Sequence, residues 1–204
     1  MYRTHRQLIE VNVSGQKALD IRDEWPLTQT ARCALSLVVP AFNEEKRIGV
    51  MLYESIDFLD NFKLTHPAFS YEILVVDDGS KDQTVKVALD IARVRCANLR
   101  VISCKPNGGK GCAVRMGVLY SFGANILFAD ADGATDIRGL EGLLEEMEVR
   151  NDCGVAVGSR NKARGTADIS VLLTQRKRYR DILGKLFVFG VTLLCGVPVT
   201  VPCI

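Results

Sequence analysis

Several short segments carry acids, glycines or bases in patterns that chemistry could use. Asp130-Ala131-Asp132-Gly133 sets two carboxylates one residue apart. Asp77-Asp78-Gly79-Ser80 and Pro40-Ala41-Phe42-Asn43-Glu44 offer further acids, and Lys105 to Lys110 and Gly158-Ser159-Arg160 offer glycines and bases. Each follows a short apolar run of strand length. If the runs are parallel strands, Glu44, Asp78, Asp130 and Asp132 gather at one rim. Like charges at one rim repel unless something positive sits among them. A divalent cation would serve, since Mg2+ and Mn2+ prefer oxygen ligands and take one or two carboxylates plus substrate phosphates. On an extended backbone, Asp-x-Asp points both acids to the same side, so one can ligate an ion while the other orients ribose or water. A single Asp after a strand is more often a cap or turn residue. Asp77 is read that way, because adjacent side chains of an extended segment point apart. The joint occurrence of the four acids carries the chemical reading.

The runs Leu35–Val39, Tyr71–Val76, Leu99–Ser103, Ile126–Ala129 and Val155–Val157 are continuously apolar, which suits parallel strands covered on both faces. Pro40 stops the first. Between them lie helical spacings. Asn43 is expected to cap a helix with Glu44 and Glu45 in its first turn and Ile48, Leu52, Ile56 and Leu59 on its apolar face. Ser80 to Gln83 reads as a capping box opening a helix through Val94. Gly111–Phe122 and Ile137–Val149 supply two more. Strands alternating with helices predict an α/β sandwich with a mostly parallel sheet, whose ligands bind beyond the carboxyl ends of the strands. Residues 1–32 show no clear period and read as an extension, 33–160 as the core, and 161–204 as a basic loop with an apolar C-terminal segment.

Two common nucleotide motifs are excluded. Pro106-Asn107-Gly108-Gly109-Lys110-Gly111 lacks the glycine spacing and the hydroxyl of a P-loop. The first strand is followed by Pro40 to Glu44 rather than by G-x-G-x-x-G, which disfavours a dinucleotide-binding dehydrogenase. The glycines before Lys110 suit close backbone approach at a helix start.

The bulk properties set wider bounds. The chain has 204 residues, is 48% hydrophobic and 25% charged, and carries a formal net charge of +2. This suits one domain with a sizeable core and gives no global electrostatic reason to expect nucleic acid as a partner. Bases concentrate between Arg160 and Lys185, either as a solvated loop or as a site for phosphate or an anionic membrane surface. Seven cysteines without a C-x-x-C pair argue against a disulfide framework or zinc ribbon. No apolar segment marks a signal peptide near the N-terminus. Leu186–Val201 is apolar but short for a span and broken by Gly190, Gly196 and Pro198; it could lie on a membrane or pack in a core.

Leu37 to Glu45, Val75 to Ser80, Asn107 to Gly111 and Ala129 to Thr135 together resemble the inverting glycosyltransferase family 2, whose fold is GT-A. Asp78 to Thr84, Asp132-Gly133-Ala134-Thr135 and Gly158-Ser159-Arg160 are most similar to its dolichyl-phosphate β-glucosyltransferase members. The resemblance covers roughly Leu35 to Lys185. It implies a three-layer α/β/α nucleotide-diphospho-sugar transferase that moves glucose from UDP-glucose to dolichyl phosphate, giving dolichyl β-D-glucosyl phosphate for N-linked glycosylation at the cytosolic face of the endoplasmic reticulum membrane. Carried over by position, Pro40, Phe42, Glu44 and Asp78 would hold uridine and ribose, and Lys110 would help bind the donor. Asp130 and Asp132 would hold Mg2+ or Mn2+ and the diphosphate. Arg160 and Arg180, with Gln175 and Arg176 nearby, would meet diphosphate and acceptor phosphate, so that Asp132, Arg160 and Arg180 form the catalytic set. The resemblance also implies an N-terminal membrane helix, which the sequence does not show, and a longer C-terminal acceptor side, so the chain reads as truncated. Another polyprenyl-phosphate glycosyltransferase, or an inactive remnant that binds nucleotide, are the alternatives.

Overall fold

The computed structural model describes residues 7–11, 17–20, 31–149 and 154–156. The chain divides into two compact units, Met1–Ile137 and Arg138–Ile204. In the first, six strands form one sheet: β1 (Gln7–Val11), β2 (Lys17–Asp20), β3 (Cys33–Ala41), β4 (Tyr71–Asp77), β5 (Leu99–Lys105) and β6 (Gly123–Phe128), in the order β2-β1-β5-β4-β3-β6. Helices α1 (Ile48–Thr65), α2 (Thr84–Arg95) and α3 (Lys110–Tyr120) connect the last four strands. In the second unit the described residues hold a 3-10 turn over Ile137–Gly139, at the unit boundary, leading into α4 (Leu140–Val149).

The mostly parallel sheet is as expected: β5, β4, β3 and β6 run parallel. Residues 1–32 hold more than an extension. β1 pairs antiparallel with β5 from Gln7↔Lys105 to Val11↔Val101, and β2 pairs antiparallel with β1. Two strands of four and five residues are too short for their pattern to stand out from the polar sequence around them, and pairing with a formed sheet edge settles them. The expected fifth apolar strand is absent at Val155 and Ala156, which are irregular, with Val155 90% exposed; Val157 lies outside the described residues. So do Gly158-Ser159-Arg160, the basic stretch to Lys185, Gln175, Arg176, Arg180 and Leu186–Val201.

Alternation along the strands splits the core into two faces. Val38, Leu74, Val76, Ile102 and Cys104 form one buried cluster, joined by Ala113 of α3 and flanked by Met116 and Tyr120. A Cβ on Gly117 would lie 2.2 Å from Val38 Cγ1, so the missing side chain is what lets α3 lie against β3. The opposite set, Leu37, Val39, Ile73, Val75 and Val101, is fully buried too. The apolar stripes of α1 (Ile48, Leu52, Ile56, Leu59) and α2 (Ala88, Leu89, Ile91, Ala92) cover it. Each fully buried Leu, Ile or Val contributes about 1.5–3 kcal/mol, which makes this double-sided packing the main stabilising term of the unit.

β3 runs through Pro40 to Ala41 rather than stopping before the proline. The carbonyl of Val38 faces β6, where it accepts the Ala129 N–H, so the nitrogen of Pro40 two residues on faces the same way. β6 ends at Phe128, opposite Val38, and the missing N–H of Pro40 therefore breaks no ladder.

The amino ends of the parallel strands are held by a closed polar network. Glu72, 2% exposed, accepts hydrogen bonds from Ser36 Oγ (2.6 Å), the Phe122 N–H (2.5 Å) and Arg100 (3.0 Å). Ser36 Oγ in turn accepts the Gly123 N–H at 2.7 Å, and the Arg100 guanidinium lies 4.2 Å over the Phe122 ring. Cys33 sits beside this network, where burial and the Glu72 charge push its thiol up.

Candidate functional site: a diphosphate and cation site at the strand ends

Because β3, β4 and β6 are parallel, the segments that follow them leave the sheet at one rim, and Glu44, Asp78, Asp130 and Asp132 lie there. The rim begins with two loops stapled together. After β3, Asn43 takes a left-handed conformation (φ 56°), and its N–H donates to Ser80 Oγ at 2.9 Å. Its side-chain oxygen accepts the Lys81 N–H at 2.9 Å. The Glu44 N–H donates to Thr84 Oγ1, the Glu45 N–H to Asp82, and the Gln83 N–H to Glu45 Oε2.

These bonds correct two expectations. Asn43 does not cap α1, which begins at Ile48 with Arg47 as its N-cap and no acid in its first turn. Ser80 and Gln83 do not form a capping box; Asp82 Oδ1 accepts the Thr84 N–H and hydroxyl instead. In both cases a side chain suited to local capping is used across the two loops. Burial raises the Asp82 carboxyl, but hydrogen bonds from Thr84 and Glu45 outweigh it and hold the group below its usual range.

Asp77 and Asp78 divide as two adjacent side chains should. Asp77, 1% exposed, accepts from the Ser80 N–H and from Ser103 Oγ, a structural pair of contacts. Asp78, 3% exposed, accepts the Gly108 N–H at 2.7 Å and the Gly109 N–H at 2.6 Å, one on each oxygen. Asn107 Nδ2 donates to the Asp78 carbonyl at 2.8 Å. The glycine stretch is thus folded around the carboxylate that follows β4. Gly109 adopts φ 83° to make that turn and caps α3, which starts at Lys110.

β6 ends at Phe128, so Asp132 lies in a turn rather than on extended backbone. Its Oδ1 accepts the Ala134 N–H at 2.9 Å. The two acids consequently meet different bases. Lys110 Nζ lies 2.6 Å from Asp130 Oδ1 and 5.5 Å from the centre of the Phe128 ring. Arg47 grips Glu44 with two hydrogen bonds of 2.7 and 2.6 Å and reaches to 4.0 Å from Asp132 Oδ2. Asp130 Oδ1 is buried, and although Lys110 is close, no hydrogen bond of good geometry reaches it among the described residues. Pro40 is buried in β3, whereas Phe42 is 45% exposed and presents its ring at the rim.

The donor set suits a hard cation. Among the described residues no three carboxylate, imidazole or thiolate groups converge as metal ligands. Asp130 and Asp132, two residues apart in sequence and each about one-third exposed, one with a buried oxygen lacking a well-formed hydrogen bond, are of the residue type and number that Mg2+ and Mn2+ accept when phosphate supplies the remaining oxygens.

Sequence reasoning named Glu44, Asp78, Lys110, Asp130 and Asp132, and the structure brings them to one rim. Arg160 and Arg180 lie outside the described residues. It missed Arg47, which a helix start placed at Asn43 turns into an ordinary mid-helix charge. It also missed the Gly108 and Gly109 amides as partners of Asp78.

Among the described residues no helix is long and apolar enough to cross a membrane. The family model for glycosyl transferase family 2 matches residues 36–196. Human dolichyl-phosphate beta-glucosyltransferase is 40% identical over 202 residues, covering 96% of this chain and 59% of that protein. The Drosophila melanogaster enzyme of the same name is 45% identical over 165 residues, covering 78% of this chain and 49% of its own length. The Saccharomyces cerevisiae enzyme is 40% identical over 117 residues, 55% of this chain and 34% of its length. The chain therefore spans about half the length of these relatives. The family match runs from within β3 through β6 and includes every rim acid, and with helices on both faces of a mostly parallel sheet the fold is of the GT-A type: the chain belongs to glycosyl transferase family 2.

Proposed function

We propose that this chain carries the donor site of a dolichyl-phosphate β-glucosyltransferase: glucose passes from UDP-glucose to dolichyl phosphate, giving dolichyl β-D-glucosyl phosphate and UDP. The observation that carries the reading is 40% identity to the human enzyme of that name over 96% of this chain, a stretch that holds all the rim residues.

The rim residues fit the chemistry required. An oxygen of the lipid phosphate attacks the anomeric carbon, the bond from that carbon to the UDP oxygen breaks, and the configuration inverts. The phosphate is already ionised at neutral pH, so no strong general base is needed. Phe42 offers an exposed ring to the uracil. Asp78 keeps lone pairs free beyond its two amide bonds and can accept from the nucleoside. Glu44 lies beside Phe42 for the ribose, and Pro40 fixes the strand end beneath both. The departing diphosphate is the difficult part of the reaction. Asp130 and Asp132 would hold Mg2+ or Mn2+, which when bound supplies charge neutralisation of that leaving group. Lys110 stands beside Asp130 with donors for the same oxygens. Arg160 and Arg180 belong to this proposal as contacts to diphosphate and acceptor phosphate. The setting is the cytosolic face of the endoplasmic reticulum, with the membrane surface presenting the acceptor.

Transfer of labelled glucose from UDP-glucose into lipid-extractable product, with dolichyl phosphate and Mn2+ or Mg2+, tests the proposal. Product from the chain and none from Asp132→Ala supports it. Unchanged metal-dependent turnover in Asp132→Ala removes the site assignment. Transfer only from another sugar nucleotide points to a different polyprenyl-phosphate glycosyltransferase. UDP binding without transfer points to a nucleotide-binding role.

A further inference from the structure

Arg47 is a poor choice for its local position. It is the N-cap of α1, makes no capping hydrogen bond and places a positive charge at the positive end of the helix dipole, in a first turn without acids. Helix stability therefore does not explain it. Its contacts do: the guanidinium is held by both oxygens of Glu44 and reaches within 4.0 Å of Asp132 Oδ2. Asp132 has its other oxygen on the Ala134 amide, so Oδ2 is the oxygen more open to a cation. Arg47 Nη1 lies 4.0 Å from it, and 57% of the Arg47 side chain is exposed.

We propose that Arg47 is the resident counter-ion of Asp132, a charge that competes with a divalent cation for Oδ2 while no nucleotide is bound and can turn to the diphosphate when one is. The inference rests on the reading of Asp130 and Asp132 as cation ligands. Its consequence is coupling. The free ion faces a guanidinium at its site and binds weakly alone, whereas an ion that arrives with a diphosphate brings Arg47 a new partner. Cation and nucleotide then enter together, and free metal does not hold the site between turnovers.

Mn2+ binding to the full chain without nucleotide, followed by the loss of the free-ion electron paramagnetic resonance signal, tests this without reference to turnover. Arg47→Gln keeps a hydrogen-bond donor for Glu44 and removes the charge. It should bind Mn2+ about fivefold more tightly than the parent, the upper end for an exposed ion pair. Arg47→Lys keeps the charge and should stay within about twofold of the parent. Asp132→Asn reports on the underlying reading and should lose this binding. Equal or weaker Mn2+ binding by Arg47→Gln, with Asp132→Asn still defective, overturns the counter-ion role alone. Undiminished binding by Asp132→Asn overturns the cation site, and the role of Arg47 with it.

Discussion

The two rims of the parallel sheet are built on opposite terms. At the amino ends of the strands, buried Glu72 has three donors on its two oxygens, and its charge partner Arg100 also reaches the Tyr120 carbonyl and the Phe122 ring. At the carboxyl ends, Arg47 lies against Glu44 and near Asp132, Lys110 lies against Asp130, Asp130 keeps a buried oxygen without a well-formed hydrogen bond among the described residues, and Asp132 and Phe42 are open to solvent. One rim spends its polar groups on each other. The other leaves Asp130 Oδ1 with the Lys110 ion pair but without a well-formed hydrogen bond among the described residues. On the proposed reading, stability and function are divided between the ends of the same strands.

The largest expected effect is at the closed rim. Glu72→Ala strips Ser36, Phe122 and Arg100 of their shared acceptor and leaves a partly buried guanidinium. It should lower stability by about 3–5 kcal/mol in chemical denaturation. If the variant unfolds at the parental midpoint, the closed rim is not a stabilising network. Between the rims, Gly117→Ala drives a methyl into Val38 and should cost about 1–3 kcal/mol by the same measurement. Asp82 belongs to the open rim but works as a staple, so Asp82→Ala should cost about 1 kcal/mol. Its carboxyl is held below its usual range in the fold. That contribution is therefore fully present above the unfolded carboxyl pKa and is lost as pH falls through the lower folded one. An acid titration of unfolding midpoints should show a shallower acid limb in Asp82→Ala than in the parent. The smallest stability effect is expected at Asp130. Asp130→Asn exposes no core and gives up only a half-exposed ion pair, so its midpoint should move by less than about 1 kcal/mol in either direction. A large loss there would mean that the open rim is structural after all.

The sequence made the alternation of β3 to β5 with their helices readable because those strands are almost wholly buried and show as apolar runs, whereas β6 has Ile126 and Phe128 42% and 47% exposed and is apolar without being covered on both faces. The rim acids were readable for the same reason, since a parallel sheet sends every strand end to one side. Tertiary hydrogen bonding was not. Asn43, Ser80 and Asp82 have the side chains of helix caps, and local preference assigns them to the nearest helix; the structure uses them to bind one loop to the other. β1 pairs with an edge provided by β5, far along the chain (Gln7↔Lys105, Val11↔Val101), and β2 pairs in turn with β1; no short-range pattern carries the β1–β5 pairing. Arg47 was hidden by the same error that began α1 at Asn43.

UDP titration calorimetry, with and without Mn2+, on the parent chain and on Asp132→Ala tests the division most directly. The account predicts that Mn2+ tightens UDP binding to the parent, that this gain vanishes in Asp132→Ala, and that the two proteins unfold at nearly the same denaturant concentration. An unchanged Mn2+ dependence in Asp132→Ala would contradict the assignment of the open rim as the donor and cation site.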